Sequence, residues 1–476
     1  MKQQQQPHAV VIGGGIGGLA AAIGLHRTGW RVTVIERAPS LEPVGAGIGL
    51  APNAQRALDV LGLGDRVREL GAWQGRIGMR ARNGRWLVRT DATEAERVYG
   101  GTLVMLHRAT LIDLLVSALP EEVLRTGAGA RLADPGSTGR RAVVTTEGGD
   151  IEADLVVGAD GINSTVRATL FPAHPKPAYA GFTAWRFIGP APARAFAPHE
   201  TWGRGGVWGT QPLKDGRVYA YATAWLPEGG RAPDGEKAEL TRRFADWHDP
   251  IPELLAAVEP DAVLRNDVRY LAKPLDVFHR GRVALVGDAA HAMTPSLGQG
   301  GNQAIEDGLV LAHHMARVAG PAPDADLASV TGPSATASVA SFADRAPFAD
   351  RVPFSDPEAS ADPAASPCPA AFAELSAGLA AYSAARVPRT TEVVRRAARA
   401  SRFTHLTSAP LVAVRDTLVA AASRLGPDLL LRSFSSIADW RPPQPPYAAG
   451  TATGAPARSV RAPDAGTAGR QIGDGR

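Results

Sequence analysis

The sequence predicts an α/β fold: a mixed, mainly parallel sheet, a second α+β unit built on an antiparallel sheet, and helices toward the C-terminus. Three observations carry that expectation. A strand, a glycine-rich turn, a helix and a second strand follow one another over residues 8–35. Continuous apolar runs suited to buried parallel strands return at residues 154–158 and 282–286. Between them, residues 181–188, 201–210 and 217–225 are rich in Trp, Tyr, Phe and Val and are separated by Gly and Pro, which reads as neighbouring antiparallel strands.

Taken in order, residues 8–12 form a compact apolar strand, 16–28 a helix and 31–35 a second strand, a βαβ opening with short loops. Pro52 opens a helix that reaches about residue 61, since proline suits a first helical turn. Another helix runs over 108–119. Residues 141–146 and 151–152, joined by Glu147-Gly-Gly-Asp150, form a hairpin. A long helix covers 298–318. Residues 321–370 are mostly Ala, Pro, Ser and Asp without periodicity, a flexible insert. A helical pattern resumes over 371–400, and residues 442–476 carry no pattern and are read as an unstructured tail. The division expected is 1–173 for the first unit, 174–276 for the antiparallel unit with a contribution from 74–100, 277–320 returning to the first unit, 321–370 as insert, 371–441 as a helical region and 442–476 as tail.

Composition narrows the function. The 476 residues are 45% hydrophobic and 21% charged, enough for a large core shared among roughly two to four units. The formal excess is only +4, and arginines are mixed with acids rather than gathered in a stripe, so no nucleic acid is expected as partner. Cys368 is the single cysteine, which leaves no disulfide or zinc cluster and no metal site, and points to the reducing cytoplasm. Residues 16–25 are apolar enough to resemble a secretion signal, but they are rich in glycine, follow a strand and precede no small-residue cleavage site. No apolar run reaches the ~18–20 residues of a membrane helix. Residues 411–431 come nearest and are broken by Arg415, Asp416 and Arg424. A soluble chain without membrane insertion is expected; its oligomeric state is left open.

Gly13-Gly-Gly-Ile-Gly-Gly18 fits GxGxxG through Gly13, Gly15 and Gly18. It follows a strand and opens a helix, and Glu36 stands 36 − 18 = 18 residues beyond the last glycine, at the end of the next strand. Gly13 makes the turn tight. Gly15 lets a pyrophosphate approach the backbone, Gly18 lets helix and strand pack closely, and the helix N-terminus offers N–H groups to phosphate. Glu36 accepts hydrogen bonds from ribose, so a Rossmann-like domain holding FAD or NAD, rather than NADP, is expected. This motif does not choose between the two.

Two later segments do. Asp160-Gly161 sits at a strand–helix turn, with Asn163, Ser164 and Thr165 available as caps. Gly287-Asp288 follows a buried strand, where a carboxylate can bind a sugar hydroxyl, and Gly298, Gly300 and Gly301 open the long helix and leave room for a flat ring. Together these segments are similar to the class A flavoprotein monooxygenases, the para-hydroxybenzoate hydroxylase type, and most to their salicylate-hydroxylase-like branch. Gly45-Ala-Gly-Ile-Gly-Leu-Ala-Pro-Asn53, His107-Arg108 with Leu111, and Tyr382–Arg389 with Arg386 and Pro388 also resemble that branch. The likeness spans roughly residues 8–320 and 371–400.

The resemblance implies non-covalent FAD on one Rossmann-like domain, with NAD(P)H as a transient co-substrate that has no domain of its own. The cofactor-binding set it implies, with the glycine motif, is Gly13, Gly15, Ile16, Gly17, Gly18, Glu36, Arg37, Gly47, Ile48, Arg108, Asp160, Gly161, Gly287, Asp288, Pro295, Gly298, Gly300, Gly301 and Asn302. It also implies dioxygen as partner and a flavin C4a-hydroperoxide that hydroxylates a small phenolic or heteroaromatic ring. Such chemistry needs a dry pocket, which Trp185, Trp202, Trp208, Tyr219, Tyr221 and Trp225 could wall, unless alternate members serve only as core. An electron-rich ring is often deprotonated first. No base is identifiable; Tyr219 and Tyr221 are candidates by location, Arg186 as a partner for a substrate carboxylate, and Pro295 by its place beside the flavin. His291 is read as a positioning residue. Gly49 departs from relatives that carry a larger polar side chain there. Two other readings stand beside aromatic hydroxylation: epoxidation of an isoprenoid or polyketide alkene, and a non-catalytic flavin-binding protein.

Overall fold

The computed structural model describes residues 6–41, 46–73, 76–91, 101–319, 369–425 and 436–443. Gly45, much of the 74–100 stretch, nearly all of the 321–370 insert and the tail from residue 444 lie outside them.

Strand His8–Ile12 is buried at every residue, and its apolar side chains pack on helix Ile16–Arg27, itself buried from Ile16 to Leu25. This strand pairs in parallel with Arg31–Ile35 on one side and Leu155–Gly158 on the other. Val283–Leu285 extends the sheet in parallel beyond Leu155–Gly158, and His279–Arg280 closes that side antiparallel. The register sets Ile12 opposite both Ile35 and Gly158, and Gly158 opposite Leu285. Four strands therefore end at one edge, and the loops beginning at Gly13, Glu36, Ala159 and Val286 emerge side by side, where open α/β sheets bind their ligands.

Helix Gly300–Ala319 crosses helix Ile16–Arg27 closely enough that a Cβ on Gly308 would meet the Ala21 nitrogen at 2.5 Å. Helix Pro369–Thr404 packs behind it, and the Tyr382 hydroxyl donates to the Leu285 carbonyl at 2.8 Å. A smaller sheet of Gly47–Leu50, Val104–His107 and Ala72–Trp73 leads into helix Arg108–Ser117.

The antiparallel unit is a seven-stranded sheet whose core is Leu264–Tyr270, Ala178–Pro190, Arg217–Trp225, Gly206–Pro212 and His199–Trp202. Arg76–Ala81 adds in parallel to His199–Trp202, and Trp86–Asp91 follows it. Its two faces differ. Trp185, Phe187, Trp208 and Ala222 pack against helices Glu236–Phe244 and Ile251–Ala257 as a closed core. Tyr219, Tyr221 and Trp202 face the other way, toward the first unit and helix Ala409–Leu425.

Two expectations are corrected. The single strand expected over 201–210 is two strands, because Gly203-Arg-Gly-Gly206 reverses the chain and Gly205 takes φ +69°. The long helix begins at Gly300 rather than 298: Pro295–Leu297 winds as a tighter turn, and Gly298, at φ +61°, stops it first. Among the described residues, no helix is long and apolar enough to cross a membrane.

Of the four histidines buried among the described residues, His8, His199 and His405 stand apart from any carboxylate side chain that would pair with them. His8 lies against Thr33, His199 meets the Ala197 carbonyl, and His405 bridges the Ser401 carbonyl and the Thr223 hydroxyl, each contact within 3.0 Å. Burial lowers all three pKa values from 6.5 to about 4. The unfolded chain therefore takes up these protons first as pH falls. The stability they contribute is complete above 6.5 and is lost progressively toward 4. Urea midpoints measured across that window are expected to drop steadily, and His405→Gln is expected to flatten part of the slope.

Candidate active site

The first unit presents a cleft lined by backbone. Gly13, at φ +111°, carries no side chain because a Cβ would meet the Ala159 carbonyl oxygen at 2.4 Å, so the glycine turn and the Asp160 loop touch. The helix that starts at Ile16 has no side-chain cap, which leaves its first N–H groups available. A Cβ on Gly15, Gly161, Gly298 or Gly300 would meet nothing within 4 Å, so these four glycines face open space. Gly17 and Gly18 instead pack inward, against Ala304 and the Gly13 carbonyl, with Ile16 buried beside them. Glu36 is held by the Gly14 and Ala38 N–H groups at 2.7 and 2.9 Å, with Arg37 exposed next to it.

Asp288 and Arg108 are both exposed, and each bears on the other's ionisation. Burial raises the Asp288 pKa against the pull of His291, Arg108 and Arg167. Burial and the nearby Arg186 lower that of Arg108, and Asp288 opposes them. Asp160 spends one carboxylate oxygen on the N–H groups of Thr165 and Val166, at 2.6 and 3.2 Å, and on the Thr165 hydroxyl. Its other oxygen is buried without a partner. Arg167 was not foreseen as a site residue. It donates to the Ile162 and Ala289 carbonyls at 2.6 and 2.9 Å, tying the Asp160 loop to the Asp288 loop.

The far wall begins at Gly47, whose Cβ position is filled by the Tyr219 ring at 2.5 Å, with Ile48 lying over Gly301. Asn302 accepts from the Ala51 N–H at 2.8 Å and donates to the Gly49 and Gly298 carbonyls at 3.0 and 2.7 Å. Its side chain thus ties together the two segments expected beside the flavin. A side chain at Gly49 would meet Leu103 and Met105 at 3.1 Å. Pro295 is exposed at the turn before Gly298.

Beneath these loops lies a buried ionic cluster. Gly287 donates its N–H to Asp307 at 2.8 Å, and His291 Nε2 lies 2.5 Å from the same oxygen. Arg386 binds Asp307 and Glu306 at 2.6 and 2.5 Å, Arg389 binds Glu306 at 2.7 Å, and Asn53 reaches Glu306 at 2.7 Å. Burial raises the Asp307 pKa, but His291 and Arg386 outweigh it and hold the group below the usual carboxylate range.

On the facing sheet, Arg186 pairs in register with Tyr221, Tyr221 with Gly209, and Gly209 with Glu200. Tyr219 stands next to Tyr221, ring centres 5.8 Å apart. Arg186 donates to Asn266 at 2.6 Å and keeps a buried Nε with no partner. Burial pushes the Tyr219 hydroxyl up to about 12 despite Arg186 and Arg108 nearby, and Tyr221 lies well above its ordinary value through burial and Glu200. Neither tyrosine is a phenolate near neutrality. Glu200 was not foreseen; its only signal in the sequence is a carboxylate inside an aromatic strand segment.

The family model described as an FAD binding domain matches residues 7–332. The chain belongs to the FAD-binding flavoprotein monooxygenases. It is 38% identical over 306 residues to the aurachin C monooxygenase/isomerase of Stigmatella aurantiaca, covering 64% of this chain and 79% of that one. It is 32% identical over 309 residues to the FAD-dependent urate hydroxylase of Klebsiella pneumoniae, covering 64% and 80%. To the 3-amino-4-hydroxybenzoate 2-monooxygenase of Streptomyces cremeus it is 36% identical over 306 residues, covering 62% and 75%. Its fold is similar to that of Klebsiella pneumoniae HpxO complexed with FAD and uric acid, with TM-score 0.73, 24% identity, and coverage of 91% of this chain and 97% of that one. A salicylate hydroxylase substrate complex gives TM-score 0.62 at 21% identity, covering 92% and 98%.

The cleft of this monooxygenase fits FAD in its chemistry: uncapped N–H groups for the pyrophosphate, carboxylates at Glu36 and Asp288 for sugar hydroxyls, and bare backbone at Gly298 and Gly300 for the ring. Arg386→Met leaves two buried carboxylates short of a partner, and a loss of about 3–5 kcal/mol is expected. Arg389→Met, whose partner Glu306 keeps Arg386 and Asn53, is expected to cost less. Denaturant midpoints measure both, and flavin lost on gel filtration is expected to follow the same order.

Proposed function

We propose that this monooxygenase hydroxylates a small phenolic or heteroaromatic compound with NAD(P)H and dioxygen. The observation that carries this reading is the mixed character of the wall opposite the flavin cleft. Tyr219, Tyr221, Glu200 and Arg186 stand there among Ile188, Leu213 and Met105. An alkene would offer the unpartnered Nε of Arg186 nothing, whereas a flat ring bearing hydroxyl or carboxylate would satisfy it. The urate and aminohydroxybenzoate enzymes among its relatives are named for rings of that kind, which supports the reading.

The chemistry supplied by bound FAD is reduction by NAD(P)H followed by activation of dioxygen. The chain's own residues would do the rest. Arg108 and Asp288 would hold the cofactor side of the cleft. Tyr219, packed on Gly47, would keep water from the reacting face, together with Met105 and Leu103. The free Nε of Arg186 would orient an anionic substituent. A reducing compartment that supplies NAD(P)H, the cytoplasm, suits a chain with one cysteine.

A panel of phenols and N-heteroaromatics is expected to include ligands that accelerate NAD(P)H oxidation. Mass spectrometry with isotopic dioxygen should then find one labelled oxygen in the product. Activity confined to alkenes without a hydroxyl would reverse the choice.

A further inference from the structure

The Tyr221 hydroxyl donates to Glu200 Oε2 at 2.7 Å, reaching across the bare backbone of Gly209 between their strands. A Cβ on Gly209 would lie 2.0 Å from the Tyr221 ring, so glycine there is what lets the two meet. The other Glu200 oxygen accepts from the Trp202 indole at 2.5 Å. Both Glu200 and Tyr221 are half-buried, on the sheet face that carries Tyr219 and Arg186.

The other groups packed around Glu200 are few. Strand Arg217–Trp225 contributes Tyr219 and Tyr221, and strand Ala178–Pro190 contributes Arg186 in line with Tyr221. Strand Gly206–Pro212 contributes Gly209, and strand Arg76–Ala81 places Met79 opposite Glu200. Helix Ala409–Leu425 contributes Arg415, which stacks over the Trp202 ring at 5.4 Å and pairs with Asp416 rather than Glu200. No guanidinium binds Glu200 among the described residues. A structural carboxylate in such surroundings would ordinarily be paired.

We infer that Glu200, acting through Tyr221, is the acceptor for the hydroxyl proton of the substrate. The step moves one proton and no electrons. The substrate O–H gives its proton to the Tyr221 oxygen as Tyr221 passes its own to Glu200 Oε2. A phenol and a carboxylate become a phenolate, stabilised by the Tyr221 hydroxyl, and a carboxylic acid. Burial raises the pKa of Glu200, against the hydrogen bonds from Trp202 and Tyr221, and so brings it nearer to that of a phenol. Tyr221, neutral because of burial and Glu200, serves as conduit rather than base.

This inference rests on the hydroxylase reading, and the experiment separates the two. Phenol-stimulated NAD(P)H oxidation is measured for wild type, Glu200→Gln and Tyr221→Phe with phenols of graded acidity, from 4-methylphenol to 4-nitrophenol. Flavin absorbance of the purified variants reports folding. For the least acidic phenols both variants are expected to lose about 10²-fold or more in kcat/KM, the range of general base catalysis. The deficit is expected to shrink with increasing phenol acidity and to vanish where the phenol is already ionised in solution. The wild-type profile should fall on the acid side as Glu200 protonates, and Glu200→Gln should lack that limb. A deficit equal for all phenols, or none, overturns the relay while leaving the hydroxylase reading standing. Should Glu200→Gln fail to retain flavin, Tyr221→Phe decides on the same criterion. A wild-type enzyme unresponsive to every phenol and every N-heteroaromatic overturns both.

Discussion

The arrangement of the cleft depends on a largely buried cluster of charges. Glu306 and Asp307, adjacent on the long helix, are held by Arg386 and Arg389 from the C-terminal helix. From that base, Asp307 grips the Gly287 N–H and His291, while Glu306 grips Asn53. The loop bearing Asp288 and the segment after Gly47–Leu50 are thus pinned to one point. Replacing such a cluster by apolar side chains of similar size often leaves stability unharmed, so its value lies in geometry: charges that satisfy only one another admit one arrangement of the loops above them.

A second constraint is the division of labour between the faces of the large sheet. Alternate residues of one strand point to opposite sides. Tyr219 and Tyr221 thereby look toward the flavin cleft, while Val218, Ala220 and Ala222 complete the core against the two short helices. The aromatic wealth of this region therefore serves different ends: Trp185 and Trp208 form one core, Trp202 packs with Val207 and Val419 on the other face, and Trp225 is partly exposed beside His405.

The two units meet electrically as well as sterically. Arg108 bears on the ionisation of Asp288 on the nucleotide side and, with Arg186, on that of Tyr219 on the sheet. A negative charge developing on a bound ring would find guanidinium groups nearby and little water. Such surroundings favour charge separation at a chosen place.

Much of the fold was legible in the sequence where the physics is local. Gly13, Gly15 and Gly18 are backbone requirements that their spacing reveals, residues 8–12 read as a strand, and residues 154–158 suit a buried parallel strand. Short segments with mixed charge, such as Glu236–Phe244 and Ile251–Ala257, went unseen because only the sheet they cover gives them an apolar environment. The strand break at residues 203–205 was marked by Gly203, Gly205 and Gly206, but the aromatic and β-branched residues on either side read as one continuous strand. At the site, the glycine loops and acidic punctuation announced a dinucleotide cleft unaided. Tertiary structure alone decided that Arg386 lies under Asp307, that Arg167 bridges two loops, and that Glu200 meets Tyr221. Those meetings depend on register and crossings between segments far apart in the chain, and no residue type or spacing encodes them.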